Sequence, residues 1–144
     1  MIVSVILKKK GSADVMTVAP TVTVAEAAGE LAKHRIGALV VSPDGRKVAG
    51  IISERDIVRR LGQEGAGVLE KPVSEVMTAK VETCRLEDTT YAIVERMTHG
   101  RFRHLPVLDG GENMIGLLSI GDVVKARLEE IEAENAAMVE MLSS

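Results

Sequence analysis

Four short apolar runs divide the chain, and each has the length and the β-branched content of a buried strand. They occupy residues 37–41, 48–52, 105–108 and 114–118. A turn sequence rich in Gly and Asp joins the members of each pair, so the pattern predicts two similar β-hairpins. A further apolar run at residues 2–7 predicts another short strand, which ends in a polar, solvated stretch that contains Lys8, Lys9 and Lys10.

Amphipathic segments with helix-start signals precede both hairpins. Thr23, with Glu26 three residues later, forms a capping box that predicts a helix to about Lys33. Thr89 or Thr90 takes the same place before the second hairpin. The predicted inward faces are Ala27, Ala28 and Leu31 in the first helix, and Ile93, Val94 and Met97 in the second.

The C-terminal part of the chain predicts one uninterrupted helix that begins near Ile120 and shows no stop signal before Ser143. Its apolar residues recur at alternating spacings of four and three, which is the seam of a coiled coil with an Asn at one core position. The seam consists of Val124, Leu128, Ile131, Asn135, Met138 and Leu142. We expect Val124 and Leu128 to pack on the domain itself, and the distal turns to extend toward a partner helix.

The chain is an internal duplication. Residues 15–59 align with residues 81–125 in one constant register, without a gap. Each unit has the order strand, helix, strand, strand, helix, and the Gly-rich stretch 62–72 links the two units. The most similar stretches share a Gly-x-x-Ser-x-x-Asp pattern, formed by Gly50, Ser53 and Asp56 and again by Gly116, Ser119 and Asp122.

The repeated Ser-x-x-Asp lies where a predicted strand runs into a predicted helix. A helix start presents unpaired N–H groups and a positive dipole end, which suit an anion such as phosphate. The Asp would repel that anion, but its carboxylate can accept hydrogen bonds from vicinal hydroxyls such as those of a ribose. One isolated copy is explained as well by a simple capping box. The second copy favours a binding role.

Composition and charge narrow the possible functions. Apolar residues make up 46% of the chain, which predicts a globular protein. Tyr91 and Phe102 are the only aromatic residues and the net charge is −3, so neither base stacking nor general electrostatics favours nucleic-acid binding. No apolar run approaches the roughly 20 residues of a membrane span, and we expect a cytoplasmic protein.

The side chains that usually carry chemistry are not arranged for it. Cys84 is the only cysteine, which excludes a disulfide framework and predicts a small core residue. The three histidines lack metal-ligand spacing, so we expect no metal site. No nucleophile is paired with a base, and Ser53 simply repeats as Ser119. We therefore expect no catalytic residue and no enzymatic activity.

Two tandem units of this shape resemble a CBS-domain pair, also called a Bateman module. The most specific stretches are Ser53–Val58 and Arg101–Val107. The chain is most similar to the stand-alone bacterial type, which is related to the regulatory module of inosine-monophosphate dehydrogenase. The resemblance implies an α+β fold of tandem β-α-β-β-α repeats with pseudo-two-fold symmetry and a long C-terminal helix. The implied division is 1–61 for the first repeat with its N-terminal strand, 62–75 for the linker, 76–128 for the second repeat and 129–144 for a helical extension.

The resemblance further implies two clefts that bind an adenosyl nucleotide such as AMP, ADP, ATP or NAD as a regulatory ligand. In each cleft the Asp of one repeat holds the ribose and the other repeat supplies phosphate ligands. The first cleft would contain Ile51, Ser53, Arg55, Asp56, Val81, Arg103, His104 and Pro106. The second cleft would contain Val15, Met16, Gly37, Ala38, Leu117, Ser119 and Asp122.

The two implied clefts differ in charge. Arg103 and His104 stand where the other repeat has Gly37 and Ala38, so we expect a phosphate-binding cation in the first cleft and none in the second. Such a contact predicts about a tenfold or greater difference in affinity. Pro106, which lacks a backbone N–H, predicts a bulge or an opening in the strand beside the ligand.

The function implied by these observations is that of a non-catalytic nucleotide sensor. We expect it to form a homodimer and to pass its ligand state to a protein partner whose identity the sequence does not give. One alternative is a structural scaffold protein whose clefts bind no ligand. Another is nucleic-acid binding through the same clefts, which the charge and the lack of aromatic residues disfavour.

Overall fold

A computed structural model describes residues 1–11 and 15–143 of the chain. The elements follow in the order α1 (Val3–Lys10), β1 (Thr17–Val18), α2 (Val24–His34), β2 (Ala38–Val41), β3 (Gly50–Ser53) and α3 (Glu54–Glu64). Two 3-10 turns, Ala66–Glu70 and Val73–Glu75, lead to α4 (Thr90–Gly100), β4 (His104–Leu108), β5 (Met114–Ser119) and α5 (Ile120–Ser143). The predicted α+β fold with a long C-terminal helix is confirmed.

The first repeat is a three-stranded sheet covered by two helices. β2 lies in the centre, parallel to β1 and antiparallel to β3. Helix α2 begins with the predicted capping box, in which Thr23 and Glu26 exchange both hydrogen bonds. Its inner face contributes Ala27 and Leu31 to a core that also contains Leu39 and Ile52. Ala28 lies at the edge of this core.

The second repeat has the same plan with a reduced first strand. β4 and β5 form an antiparallel pair, and Thr89 caps α4. The first strand of this repeat is limited to one parallel bridge between Cys84 and Val107. In the register of the duplication, this pair corresponds to the β1–β2 pair Val18 and Val41 of the first repeat. Cys84 is 3% exposed, which confirms its place in the core.

The two repeats pack through their hairpins. Ala38, Val40 and Ile51 are buried against a mixed set from both repeats that comprises Val15, Val48, Val81, Met114 and Leu117. The hairpin loops also bond to each other, because the backbone N–H of Met114 donates to the carbonyl of Arg46 at 2.8 Å. This arrangement leaves a cleft between the repeats on either side of the shared centre.

The prediction of a strand at residues 2–7 is wrong. These residues belong to helix α1, because Val3 and Ile6, at the i, i+3 spacing of a helix, both enter the core of the second repeat. Only Ile2 makes a strand-like bridge, to Thr89. The segment at the beginning of the chain therefore packs on the second repeat rather than on the first.

The predicted linker has the reciprocal position and packs on the first repeat. Val68 and Val73 of the predicted linker, and Val76 at the start of the predicted second repeat, lie in the core of the first repeat. The backbone N–H of Val73 donates to Val22 at 2.8 Å, just as the N–H of Val3 donates to Asp88 at 2.9 Å. Residues 2–7 and 72–77 thus make equivalent contacts with the two repeats. We call residues 1–10 and 71–80 the first and second leading segments.

Each leading segment presses against a glycine in the last strand of a repeat. A Cβ atom built on Gly50 would lie 2.5 Å from the sulfur of Met77 and 2.8 Å from the carbonyl oxygen of Thr78. A Cβ atom on Gly116 would lie 2.9 Å from a methyl group of Leu7. This close approach explains why glycine stands at both positions of the duplicated pattern.

Helix α5 packs on its repeat through a face that the heptad pattern did not identify. Val123 and Ala126 are buried, whereas Val124 is 48% and Leu128 is 55% exposed. The expectation that Val124 and Leu128 pack on the domain is therefore wrong, and the whole apolar stripe faces outward. Among the described residues, no helix is both long and apolar enough to cross a membrane.

Candidate functional site

Two clefts lie between the repeats and are lined by equivalent positions of the duplication. Their volumes are about 510 Å³ for the first and about 410 Å³ for the second, which is within the usual range for small-molecule sites. Three pairs of equivalent residues illustrate the symmetry, with Val81, Phe102 and Ser53 in the first cleft and Val15, Ile36 and Ser119 in the second.

The repeated Ser-x-x-Asp forms a capping box in both repeats. Asp56 Oδ2 accepts hydrogen bonds from the backbone N–H and the hydroxyl of Ser53, at 3.0 and 2.9 Å. Asp122 Oδ2 accepts from the N–H of Ser119 at 2.9 Å, and Ser119 Oγ accepts in return from the N–H of Asp122 at 3.1 Å. Capping orients each carboxylate at the start of a helix, so the structural and the binding interpretations of this pattern are compatible.

The first cleft brings together the predicted residues with one exception. Ile51, Ser53, Arg55, Asp56, Val81, Arg103 and His104 all line it. Pro106 does not line it, because this residue is buried in β4, where its carbonyl accepts a hydrogen bond from the N–H of Cys84 at 3.0 Å. The irregularity in β4 falls between Val107 and Leu108, so the bulge predicted at Pro106 is also misplaced.

The second cleft likewise contains all but one of the predicted residues, namely Val15, Met16, Gly37, Ala38, Leu117 and Ser119. Asp122 does not line this cleft but borders a separate, smaller depression next to it, together with Lys10. Lys10 Nζ donates to Asp122 Oδ2 and to the carbonyl of Leu117, both at 2.9 Å. The expectation that the second cleft has no cation is therefore wrong, as is the expectation that Lys10 is simply solvated.

His104 and Gly37 line both clefts, so His104 does not belong to the first cleft alone. Burial lowers the pKa of His104, and the charges of Lys10 and Arg103 lower it further, against the opposing effect of Asp122 and Glu54. The imidazole is therefore neutral near pH 7 in the absence of ligand.

Asp122 is held as a carboxylate. Its partial burial favours the protonated form, but the hydrogen bonds from Ser119 and Lys10 outweigh burial, and the pKa of Asp122 lies below its usual value.

At Cys84 burial is the dominant effect. It raises the pKa of the thiol to about 12 and makes this cysteine a poor nucleophile. Among the described residues, no cluster of His, Cys, Asp or Glu has the geometry of a metal site.

Sequence reasoning missed several cationic residues of the clefts. Lys80 and Arg59 line the first cleft, and Lys10 lines the second. Arg101, for which the sequence favours a surface position at the end of a helix over a place in the cleft, also lines the first cleft. Arg59 lies one turn after the Ser-x-x-Asp pattern on α3, a spacing that the sequence does show. The lysines were missed because both belong to the leading segments, which lie outside the aligned stretches of the duplication. The equivalence of the two leading segments becomes visible only in the structure.

A family profile described as the CBS domain matches residues 10–63 and 73–129. The chain belongs to the CBS domain family. The two matched stretches correspond to the two repeats, so the protein contains a CBS-domain pair.

Solved structures and curated relatives agree with this assignment. A CBS-domain protein from Agrobacterium tumefaciens has 46% sequence identity and a TM-score of 0.83, over 88% of this chain and 99% of that chain. The mitochondrial CBS domain-containing protein CBSX3 of Arabidopsis thaliana is 38% identical over 78% of this chain and 56% of its own length. The chain spans less than two thirds of the length of most of the curated relatives that it matches.

Two similar structures were solved with ligands. The CBS domain pair of protein MJ0100, in complex with 5′-methylthioadenosine and S-adenosyl-L-methionine, has 25% identity and a TM-score of 0.78 over 90% of this chain and 98% of that chain. A CBS domain protein from Pyrobaculum aerophilum, complexed with AMP, has 27% identity and a TM-score of 0.73 over 85% of this chain and 89% of that chain. An adenosine group is common to all three ligands.

Proposed function

We propose that this CBS-domain pair is a non-catalytic sensor of adenosyl nucleotides and that the first cleft is its main site. The observation that carries this proposal is the combination, in one open cleft, of the Asp56 carboxylate with several cationic side chains. Those cations are Arg55, Arg59, Lys80, Arg101 and Arg103. Within the described part of the chain, none of them is bonded to Asp56, so the carboxylate and the cations remain available to a ligand.

The chemistry of the first cleft suits the two ends of a nucleotide. Asp56 can accept hydrogen bonds from the ribose hydroxyls, and its place in the capping box fixes its orientation. The phosphate would lie near the N-terminus of α3, where the helix dipole favours an anion, with Arg103 as the cation from the other repeat. The apolar side chains of Ile51 and Val81 offer a surface for the base.

The proposal is tested by calorimetric titration with AMP of the wild type, Asp56→Ala and the matched control Asp122→Ala. Loss of the ribose contact at Asp56 should weaken binding about tenfold to a hundredfold, since hydrogen bonds to charged groups contribute about 1.5–3 kcal/mol. Asp122→Ala should have a smaller effect because Lys10 already engages that carboxylate. Equal losses in the two variants would contradict the assignment of the main site.

Native mass spectrometry of the purified protein distinguishes AMP, ATP and NAD as the bound ligand. A protein that carries no nucleotide, and that binds none of the three in titration, would instead support the alternative of a ligand-free scaffold.

We also infer that α5 pairs with the same helix of a second copy of this chain. The exposed stripe includes Ile131, Met138 and Leu142, which are 38%, 61% and 85% exposed. In the heptad register Asn135 is a core position, and one core Asn favours a parallel, in-register pair. The same register places Arg127 opposite Glu132 of the second copy, which is a favourable contact between opposite charges.

Truncation after Leu128 tests the pairing of α5. Analytical ultracentrifugation at low micromolar concentration should show a dimer for the full chain and a monomer for the truncated chain. Asn135→Leu is the sharper variant, because a more apolar core should strengthen association while relaxing its stoichiometry. A truncated chain that remains dimeric at the same concentration would show that other surfaces hold the dimer.

A further inference from the structure

Lys10 fills a position in the second cleft that a ligand would need. Its ammonium group contacts Asp122 Oδ2 and the Leu117 carbonyl at the same distance, 2.9 Å. Asp122 is the counterpart of Asp56, which is the proposed ribose acceptor of the first cleft. The neighbouring Lys9 points elsewhere, since its Nζ donates to Glu129 on α5 at 3.1 Å. The placement of Lys10 in the cleft is thus specific to one lysine of α1.

The leading segments explain why only the second cleft is filled in this way. In the second leading segment the short helical turn ends at Glu75, and Thr78 exchanges two backbone hydrogen bonds with Ile51, at 2.8 and 3.0 Å. Leu117 is the counterpart of Ile51. The first leading segment remains helical to Lys10, and among its described residues the bond to the Leu117 carbonyl comes from the Lys10 ammonium rather than from a backbone N–H.

The lysine that ends the second leading segment has no such role. Lys80 is the last residue of the second leading segment, as Lys10 is of the first, and it lines the first cleft. Within the described residues it makes no hydrogen bond or ion pair with Asp56. Of the two lysines that end the leading segments, Lys10 therefore bonds to the acid of its cleft and Lys80 does not.

We propose that Lys10 is a tethered competitor that makes the two clefts unequal, so that the second cleft binds an adenosyl ligand only when Lys10 releases Asp122. This inference rests on the proposed function, because it concerns the same class of ligand. A ribose that takes Asp122 Oδ2 must displace the ammonium from that oxygen. The first cleft, which has no such competitor, fills at lower ligand concentration.

The displacement changes more than one side chain. Lys10 is the last residue of α1, and α1 is attached to the second repeat through Val3 and Ile6. Release of Lys10 frees the end of this helix while its apolar face stays in the core. Ligand binding in the second cleft would thus change the conformation at the C-terminal end of α1, which is far along the chain from the Asp that binds the ligand.

The experiment uses the full chain with Asp56→Ala as background, which weakens the first cleft, and each titration is fitted with two sites so that the second cleft is followed separately. Lys10→Ala and Lys10→Met are compared in this background with the control Lys9→Ala, and each is titrated with adenosine and with AMP. Lys10→Met keeps an apolar stem of similar length and removes only the charge. Circular dichroism melts of all the variants verify that they fold.

Removal of the competing ammonium should tighten binding of adenosine and AMP alike, by roughly threefold to tenfold, while Lys9→Ala leaves both unchanged. Weaker AMP binding with unchanged adenosine binding would overturn the proposal, because Lys10 would then be a phosphate ligand. Unchanged affinities, or a second cleft that binds neither compound in any variant, would overturn it as well. Failure of the wild type itself to bind AMP or adenosine would instead refute the proposed function.

Discussion

The two leading segments begin alike and end differently. Val3 and Val73 are both fully buried, and Leu7 and Met77 both press on the glycine of the duplicated pattern. After that point one segment remains a helix and the other becomes extended. The comparison shows that an asymmetry between duplicated sites can arise outside the duplicated unit, in the short segments that complete each repeat.

The largest difference between the two repeats should be in the loss of stability when their equivalent glycines, Gly50 and Gly116, are replaced by alanine. Gly50→Ala should destabilise the protein by about 2–3 kcal/mol, because its Cβ meets the backbone carbonyl of Thr78, which cannot move away by a side-chain rotation. Gly116→Ala should cost about 1 kcal/mol, since it meets only the flexible end of Leu7. Urea unfolding of both variants measures the difference, and equal losses would mean that the two segments are held with the same rigidity.

A smaller effect should distinguish the phosphate ligands of the first cleft. Arg103→Ala should weaken AMP binding about tenfold and leave adenosine binding unchanged, because only AMP presents an anion to the guanidinium. Arg103→Lys retains the charge and should recover part of the loss. Calorimetric titration with both compounds provides the measurement. A parallel loss for adenosine would show that Arg103 supports the cleft rather than the phosphate.

The smallest effect concerns His104, which lies between the clefts. The charge of Lys10 lowers the pKa of His104 more than that of Arg103 does, so Lys10→Ala should raise this pKa by more than Arg103→Ala. An NMR titration of the imidazole signals provides the measurement, with those of His34 and His99 as internal references. The opposite order would mean that Arg103, and not Lys10, is the cation closer to the imidazole.

The same histidine predicts a dependence of stability on pH. Because folding lowers the pKa of His104, the unfolded chain binds more protons near pH 6 than the folded chain does. The free energy of unfolding should therefore fall as the pH decreases through the unfolded value of about 6.5. His104→Gln should remove this part of the pH dependence, and a variant with an unchanged profile would exclude His104 as its source.

The duplicated unit could be predicted from the sequence because its signals are local. The capping residues Thr23 and Thr89 mark helix starts by their own side chains, and the hairpins follow from alternating apolar runs and turn residues. The candidate residues of the first cleft could also be predicted from the sequence, because the constant register of the duplication relates them to the matching residues of a second copy. Within the aligned residues 15–59 and 81–125, the structure contains most of the helices and strands that the sequence predicts.

The remaining features depend on contacts between distant parts of the chain. The apolar run at residues 2–7 fits a strand as well as a helix, and only its contact with the core of the second repeat decides for the helix. Lys10 could not be placed in the second cleft for the same reason. On α5, both Val123 and Val124 are apolar, and the helix turns Val123 inward because that face meets the core of the second repeat.

Each leading segment packs on the repeat that it does not directly precede in the chain, and this arrangement constrains the order in which the chain can fold. Residues 3–10 are synthesised before the first repeat, but their binding surface belongs to the second repeat, where Val3 contacts Asp88 and Met1 contacts Thr90. The first repeat can complete its core once residues 68–76 have been made. The second repeat can bury this segment only by closing a loop that spans the first repeat, and closing so long a loop is slow. During synthesis, residues 3–10 therefore stay unpaired, and too short to hold a helix alone, until the second repeat has been made.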